Sequence, residues 1–184
     1  MHWTTFFSQT GSEICAISTA LKRWPDLICT NKSIEEIDSI SPELLDKCFN
    51  KILFLPKKPV VSEYTTALRN SRKQKSIITL HGYLRIIPAS VCEQNLIYNG
   101  HPGDILNYPE LKGFNPQEKA FKLQIKRSGS VIHAVTPGVD EGPIVAIKAC
   151  NIDLKSLNKT YKILHKNSTK LWVEFLSDYL NIKI

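Results

Sequence analysis

Short apolar runs alternate with amphipathic segments along most of the chain. The apolar runs predict strands at residues 4–8, 27–30, 52–55, 76–80 and 96–99, and two further strands at 130–135 and 144–148. The amphipathic segments predict helices near residues 13–23, 42–49, 61–72 and 115–126. Strands that alternate with helices usually form parallel sheets. The pattern therefore predicts an α/β fold with a Rossmann-like, largely parallel twisted sheet flanked by helices.

The C-terminal segment has a longer helical pattern. Apolar residues recur there at roughly helical spacing, at Leu157, Tyr161, Leu164, Leu171, Phe175 and Leu180. The polar pair Asn167 and Ser168 interrupts the pattern, which predicts one helix or two helices packed on the sheet. Because the sequence contains no internal repeat, low-complexity tract or linker, residues 1–184 are expected to form a single domain.

Composition narrows the class of protein. The chain has 184 residues and 42% hydrophobic residues, which suits a globular domain with a sizeable core. No run reaches the ~18 apolar residues that a membrane helix requires, so no membrane partner and a cytoplasmic location are expected. The five cysteines are widely scattered without a Cys-x-x-Cys pair, so reduced thiols are expected and no metal site.

The formal net charge is +7, which suits an anionic ligand. Many of the lysines between Lys148 and Lys170 are interspersed with apolar residues, as on the solvated face of an amphipathic helix. No tandem aromatic and basic signature accompanies them, so a nucleic-acid partner is not expected. The sequence predicts no oligomeric state.

Three residues in the second half of the chain supply candidate chemistry. Asn99 and His101 are two residues apart on a predicted strand, so their side chains point to the same side. Asp140 follows a later strand, where its carboxylate can orient and charge His101. An amide donor, an imidazole and a carboxylate are the groups needed for acyl or formyl transfer to an amine, without a nucleophilic Ser or Cys.

These residues belong to a wider set of ordered motifs at residues 81–87, 99–102, 113 and 129–144. Together the motifs resemble the 10-formyltetrahydrofolate-dependent formyltransferases, most of all the catalytic domain of the glycinamide ribonucleotide (GAR) formyltransferases. The resemblance implies the formyltransferase fold and 10-formyltetrahydrofolate as formyl donor. It also implies that Asn99, His101 and Asp140 are catalytic in a direct transfer. The role of His133 stays open between the site and the scaffold, and His81 and His165 receive no role.

The resemblance also implies a folate cleft formed by two segments. Its residues are Leu84, Arg85, Ile86 and Ile87, and the loop of Val135, Thr136, Pro137, Gly138, Val139 and Asp140. Apolar walls and loop amides suit a flat heterocycle with hydrogen-bonding edges. For Leu84, Ile86 and Ile87, plain core packing is the alternative.

The acceptor side departs from the family pattern. The family binds the acceptor phosphate at a turn matching Gly11, Ser12 and Glu13, but usually has Asn in place of Glu13. A carboxylate repels a nearby phosphate, so either Glu13 turns outward or the acceptor is not GAR. In addition, Gly103 replaces a common Ser, and the loop from His101 to Gly113 is longer than expected.

The sequence therefore predicts a folate-dependent N-formyltransferase that acts on a primary amine of a small phosphorylated or nucleotide-linked acceptor. GAR is the first candidate. The alternatives are a sugar-nucleotide (amino-sugar) N-formyltransferase, a formyltransferase for a modified nucleotide, and a non-catalytic folate-binding module. Formyltetrahydrofolate hydrolases and methionyl-tRNA formyltransferases are less expected, because they usually carry an additional domain.

Overall fold

The computed structural model describes residues 1–69 and 75–183. Within these residues a single sheet of seven strands forms the centre of the molecule. The strands are β1 (His2–Phe7), β2 (Leu27–Thr30), β3 (Ile52–Phe54), β4 (Ser76–Leu80), β5 (Ile97–His101), β6 (Arg127–Ala134) and β7 (Ile144–Asn151). Their order is β3-β2-β1-β4-β5-β6-β7. Strands β1 to β5 are parallel, whereas β6 and β7 are antiparallel to their neighbours, which confirms the largely parallel α/β fold.

Six α-helices connect or cover the strands within the described residues. They are α1 (Ser12–Leu21), α2 (Pro42–Cys48), α3 (Val61–Ala67), α4 (Ala89–Gln94), α5 (Pro116–Lys122) and α6 (Leu157–Leu180). Short 3-10 helices occur at Ile34–Ser39, Phe49–Lys51 and Pro109–Leu111. None of these helices reaches the length and apolar character that crossing a membrane requires.

Two predicted helices are shorter than expected. The helix predicted at 61–72 ends at Ala67, and residues 70–72 lie outside the described residues. The helix predicted to reach residue 126 ends at Lys122, because the backbone enters the left-handed region at Gln124. Helix α4 was not predicted, since its six residues are too few to give a helical period.

The core lies on both faces of the sheet. Successive side chains of a strand point to opposite faces, so Phe6 packs with Tyr64 of α3 and Val91 of α4, whereas Trp3 packs with Trp172 of α6. The cysteines form no disulfide; Cys15, Cys29 and Cys48 are buried, and Cys92 and Cys150 are half-buried.

Helix α6 is continuous through Asn167 and Ser168, so the structure agrees with the first of the two predicted alternatives, a single helix. Both side chains are buried, but each has a hydrogen-bonding partner on a neighbouring element. The Asn167 amide donates to the Lys148 carbonyl at 2.6 Å, and the Ser168 hydroxyl donates to Glu13 at 2.7 Å. Satisfied polar groups can be buried without ending a helix, and a count of apolar positions does not reveal such partners.

The strand order places a crevice at one end of the sheet. Chain order reverses between β1 and β4, because β1 leads to β2 on one side and pairs with β4 on the other. Such reversal points open a crevice outside the carboxyl ends of parallel strands, where α/β proteins bind ligands. The segments after β1 and β4 and the end of β5 meet there.

Candidate active site

A cavity of about 830 Å³ occupies this crevice. Six stretches of chain contribute to its lining: residues 9–13, 80–87, 99–102, 113–117, parts of 133–140, and parts of 161–168. The volume lies in the range typical of small-molecule sites. All the predicted site residues line this cavity except Pro137, which is exposed outside it.

The end of β5 carries the candidate amide and imidazole. Asn99 and His101 lie on the same face of the strand, as the two-residue spacing predicted. Strand β6 runs antiparallel to β5 and pairs His133 with Asn99. As a result the Asn99 Nδ2 atom lies 3.1 Å from the His133 Nε2 atom. The sequence left the role of His133 open, and the structure brings its side chain into the cluster.

Asp140 joins both histidines. Its Oδ2 atom lies 3.2 Å from His101 Nδ1, and its Oδ1 atom lies 3.3 Å from His133 Nε2. The Gly113 backbone N–H also donates to Oδ2 at 2.9 Å. Burial alone would raise the pKa of Asp140, but the hydrogen bonds from His101 and His133 outweigh it and hold this pKa far below its ordinary value. The carboxylate therefore stays ionised.

His101 is buried with oxygen acceptors at both ring nitrogens. Its Nδ1 atom faces Asp140, and its Nε2 atom lies 2.9 Å from the Leu111 carbonyl oxygen. Since neither a carboxylate nor a carbonyl can donate, only a ring protonated on both nitrogens satisfies both contacts. The ring thus also ties the loop after β5, and Nε2 must leave the Leu111 carbonyl before it can donate to a substrate.

The Nε2 atom of His133 lies near two groups, the Asn99 amide and the Asp140 carboxylate. Its Nδ1 atom lies 3.0 Å from the Ala134 carbonyl oxygen, to which it donates. A neutral ring then accepts at Nε2 from the Asn99 amide, whereas a protonated ring donates from Nε2 to Asp140. The orientation of the Asn99 amide therefore depends on the proton of His133.

The apolar residues proposed to contact the folate differ in their exposure. Ile87 is buried at 3% exposure among core residues, whereas Leu84 is 49% and Ile86 69% exposed at the cavity. The guanidinium of Arg85 is held by the carbonyls of Lys57 and Leu84. Phe114, for which no sequence pattern predicted a role, is 80% exposed and also lines the cavity. Exposed apolar groups at a cavity mouth suit an aromatic ligand.

In the turn before α1, the Glu13 side chain does not turn outward. Gly11 adopts a left-handed conformation with φ of 73°. The Glu13 carboxylate turns towards the sheet, where Oε2 lies 3.1 Å from His81 Nδ1 and Oε1 accepts from Ser168. Burial would raise the pKa of Glu13, but these hydrogen bonds hold it below its ordinary value. His81 and Ser168 are distant in sequence, so no local signal indicated their role.

The fold and the site together define a class of α/β proteins, which have a mostly parallel sheet and an Asn-His-Asp cluster at the crevice. Comparison with known proteins identifies the family within this class. Residues 35–176 match the Formyl transferase family, and the chain belongs to that family.

Individual relatives agree with this assignment. A phosphoribosylglycinamide formyltransferase of Bacillus subtilis is 30% identical over 109 residues, which cover 58% of this chain and 54% of the relative. The match thus spans about half the length of that protein. The phosphoribosylglycinamide formyltransferase structure from Campylobacter jejuni has a TM-score of 0.79 at 18% identity, with 97% of each chain covered. A formyltetrahydrofolate deformylase from Pseudomonas syringae also shares the fold, with a TM-score of 0.72 at 17% identity over 98% of this chain and 62% of that one.

The depressed pKa of Asp140 predicts a distinct acid response of stability. Asp140 contributes its full stabilisation above the unfolded-state pKa of about 3.9 and loses it as pH falls towards the much lower folded-state pKa. We expect the free energy of unfolding of the wild type to decrease below about pH 4 more steeply than that of Asp140→Asn. Urea unfolding of both proteins between about pH 6 and pH 3 tests this expectation. Parallel pH curves would show that the carboxylate is not preferentially ionised in the fold.

Proposed function

We propose that the protein transfers the formyl group of 10-formyltetrahydrofolate to a primary amine of a small phosphorylated or nucleotide-linked acceptor, in the cytoplasm. Glycinamide ribonucleotide is the first candidate on the strength of the relatives, and the inward Glu13 carboxylate is the observation that opposes it. The observation that carries this proposal is a cluster at one wall of the cavity, in which Asp140 contacts His101 and His133, and His133 contacts Asn99. The family assignment and the relatives described above support it.

The cavity residues suit a folate. Leu84, Ile86, Phe114 and Val139 offer exposed apolar surface to flat rings, and the loop before Asp140 offers backbone groups to a pterin edge. When bound, 10-formyltetrahydrofolate supplies an electrophilic formyl carbon. The side chains account for the remaining steps, so the proposed transfer needs no metal.

Asn99 and His101 act on the formyl oxygen in this proposal. An unprotonated amine attacks the formyl carbon, and negative charge develops on the oxygen as the tetrahedral intermediate forms. Asn99 Nδ2 donates to that oxygen, and the His101 imidazolium stabilises it after leaving the Leu111 carbonyl. Asp140 keeps His101 charged and holds a water that carries the amine proton to the departing tetrahydrofolate.

The test is a turnover assay with 10-formyltetrahydrofolate and a panel of amines. The panel contains glycinamide ribonucleotide, aminosugar nucleotides and aminated nucleosides, and appearance of the folate product is followed spectrophotometrically. We expect turnover with one class of amine. His101→Ala should lower it at least about a hundredfold, because an oxyanion stabiliser is lost.

Each rival function predicts a different result. If turnover occurred only with an aminosugar or a modified nucleotide, that amine would be the acceptor instead of glycinamide ribonucleotide. Folate product without any amine would indicate hydrolysis, and folate binding without turnover would indicate a binding module. Near-normal turnover by His101→Ala would remove His101 from the mechanism.

A further inference from the structure

The Nε2 N–H of His101 donates to the protein's own backbone. The Nε2 atom lies 2.9 Å from the Leu111 carbonyl oxygen. A carbonyl oxygen can only accept, so Nε2 carries a proton. The mechanism proposed above requires this same N–H for the oxygen of the formyl group. The Leu111 carbonyl oxygen and the formyl oxygen therefore compete for one donor.

The loop after β5 holds the Leu111 carbonyl in a fixed position. The Leu111 side chain is fully buried in an apolar cluster with Val131 of β6, and its N–H donates to the Tyr108 carbonyl at 3.0 Å. Asp104 is also buried and fixes the start of this segment. Its carboxylate accepts from the Asn107 backbone N–H at 3.1 Å and side-chain amide at 2.8 Å, and its carbonyl accepts from the Tyr108 N–H.

Gly103 lets the His101 ring reach this carbonyl. The Gly103 N–H donates to the His101 carbonyl at 2.9 Å, so the backbone turns back tightly against the ring. A Cβ atom at residue 103 would lie 3.2 Å from His101 Nε2 and 3.0 Å from Pro116 Cβ. Both distances are shorter than the optimal separation of about 3.5–4.0 Å between carbon atoms. A side chain at residue 103 would therefore push the ring away from Leu111.

The two competing acceptors differ in the stage of the reaction at which they are strong. Before the amine attacks, the formyl oxygen is a neutral amide oxygen like that of Leu111, so His101 gains little by exchanging one for the other. In the tetrahedral intermediate the oxygen is negatively charged, and hydrogen bonds to ionised groups are about twice as strong as neutral ones. His101 thus gains by leaving Leu111 only when charge has developed. Interactions that are stronger in the transition state than in the bound substrate accelerate a reaction.

We propose that the Leu111 carbonyl keeps the His101 N–H away from the formyl oxygen of the bound donor until negative charge develops on that oxygen. The proposal rests on the formyl transfer proposed above and assigns two positioning residues to it. Asp104 acts by fixing the segment that carries the carbonyl, and Gly103 acts by leaving space for the ring. Neither residue lines the cavity.

Binding of two folate analogues in the absence of any amine tests the proposal. The probes are 10-formyl-5,8-dideazafolate and 5,8-dideazafolate, which differ only in the formyl group. Calorimetry measures both affinities for the wild type and for Asp104→Ala, Gly103→Ala and Glu110→Ala. Glu110 is an exposed acidic residue of the same loop and serves as the matched control for Asp104. Thermal unfolding of each variant checks that it is folded.

The ratio of the two affinities is the decisive quantity. Asp104→Ala should raise the preference for the formyl analogue about three- to tenfold, because His101 becomes free to donate one neutral hydrogen bond to the formyl oxygen. Gly103→Ala should raise it in the same direction by displacing the ring. The affinity for 5,8-dideazafolate should change less than about twofold in both variants, since the apolar contacts are intact. Glu110→Ala should leave both affinities unchanged.

A preference that is raised in neither Asp104→Ala nor Gly103→Ala would overturn the proposal. A lowered preference would overturn it as well, because the Leu111 contact would then orient His101 towards the formyl group of the bound donor. The assay measures binding alone, so it is separate from the proposed reaction. If the wild type bound neither analogue, the proposed folate donor would be refuted together with this proposal. Binding in the expected pattern without transfer to any amine would refute the proposed reaction alone.

Discussion

Asp140→Ala is expected to lower kcat/KM for formyl transfer by about two to three orders of magnitude. The carboxylate contacts both His101 and His133 and accepts from the Gly113 N–H. Its removal leaves two buried imidazoles without their anionic partner, so the charged form of His101 is no longer favoured when the oxyanion develops. Steady-state kinetics with saturating 10-formyltetrahydrofolate measures the loss.

A second aspartate provides the control. Asp46 is 71% exposed and, in the part of the chain that the structure describes, pairs only with Lys47, so Asp46→Ala should retain wild-type kinetics. The affinity of Asp140→Ala for a folate should change far less than its turnover, because the apolar walls are intact. If turnover of Asp140→Ala stayed within about threefold of the wild type, Asp140 would have no part in catalysis.

Gly100→Ala is expected to damage stability and activity together. Gly100 lies between Asn99 and His101, and a Cβ atom there would clash with Trp172 Nε1. Trp172 is fully buried and packs against His81, so the ring has no free space to move into. Overpacking of this kind costs about 1–3 kcal/mol. Displacement of β5 also moves both flanking side chains, and we expect at least a tenfold loss of kcat.

A second substitution that removes the clashing atom tests whether the clash causes these losses. Trp172 Nε1 is buried without a hydrogen-bond partner in the described structure, so Trp172→Phe removes the clashing atom without breaking a hydrogen bond. The double variant Gly100→Ala/Trp172→Phe should therefore recover part of the lost free energy of unfolding and of kcat. Urea unfolding and kinetics of the four proteins in the cycle give the coupling. Strictly additive effects would show that the strain lies elsewhere.

The sequence predicted the features that depend on local pattern. Short apolar runs predicted a segment of each of the seven strands, and the positions of Asn99 and His101 on one face of β5 follow from a period of two. The resemblance indicated Asp140 although it lies far along the chain. The residues that contact these side chains were harder to predict from the sequence. His133 reaches Asn99 only because β6 pairs antiparallel with β5, which sequence spacing does not specify.

The acceptor side could not be predicted for the same reason. The direction of the Glu13 side chain depends on His81 and Ser168, which are 68 and 155 residues away. The continuity of α6 depends on the Lys148 carbonyl that accepts from Asn167. In each case a polar residue that looked unfavourable or exposed is satisfied by a group from a distant segment. Such partners become visible only once the fold brings the segments together.

Because the loop after β5 is anchored, evolutionary changes in the loop can occur separately from changes in the groups proposed to react. The loop begins at His101, and the side chains of His101 and Asp140, both proposed to be catalytic, hold its far end at the Leu111 carbonyl and the Gly113 N–H. Closing a longer loop between fixed ends costs little additional entropy. Insertions between these anchors can therefore remodel the surface above the cavity while the reacting groups keep their positions. New acceptors can be acquired by this route without rebuilding the catalytic centre.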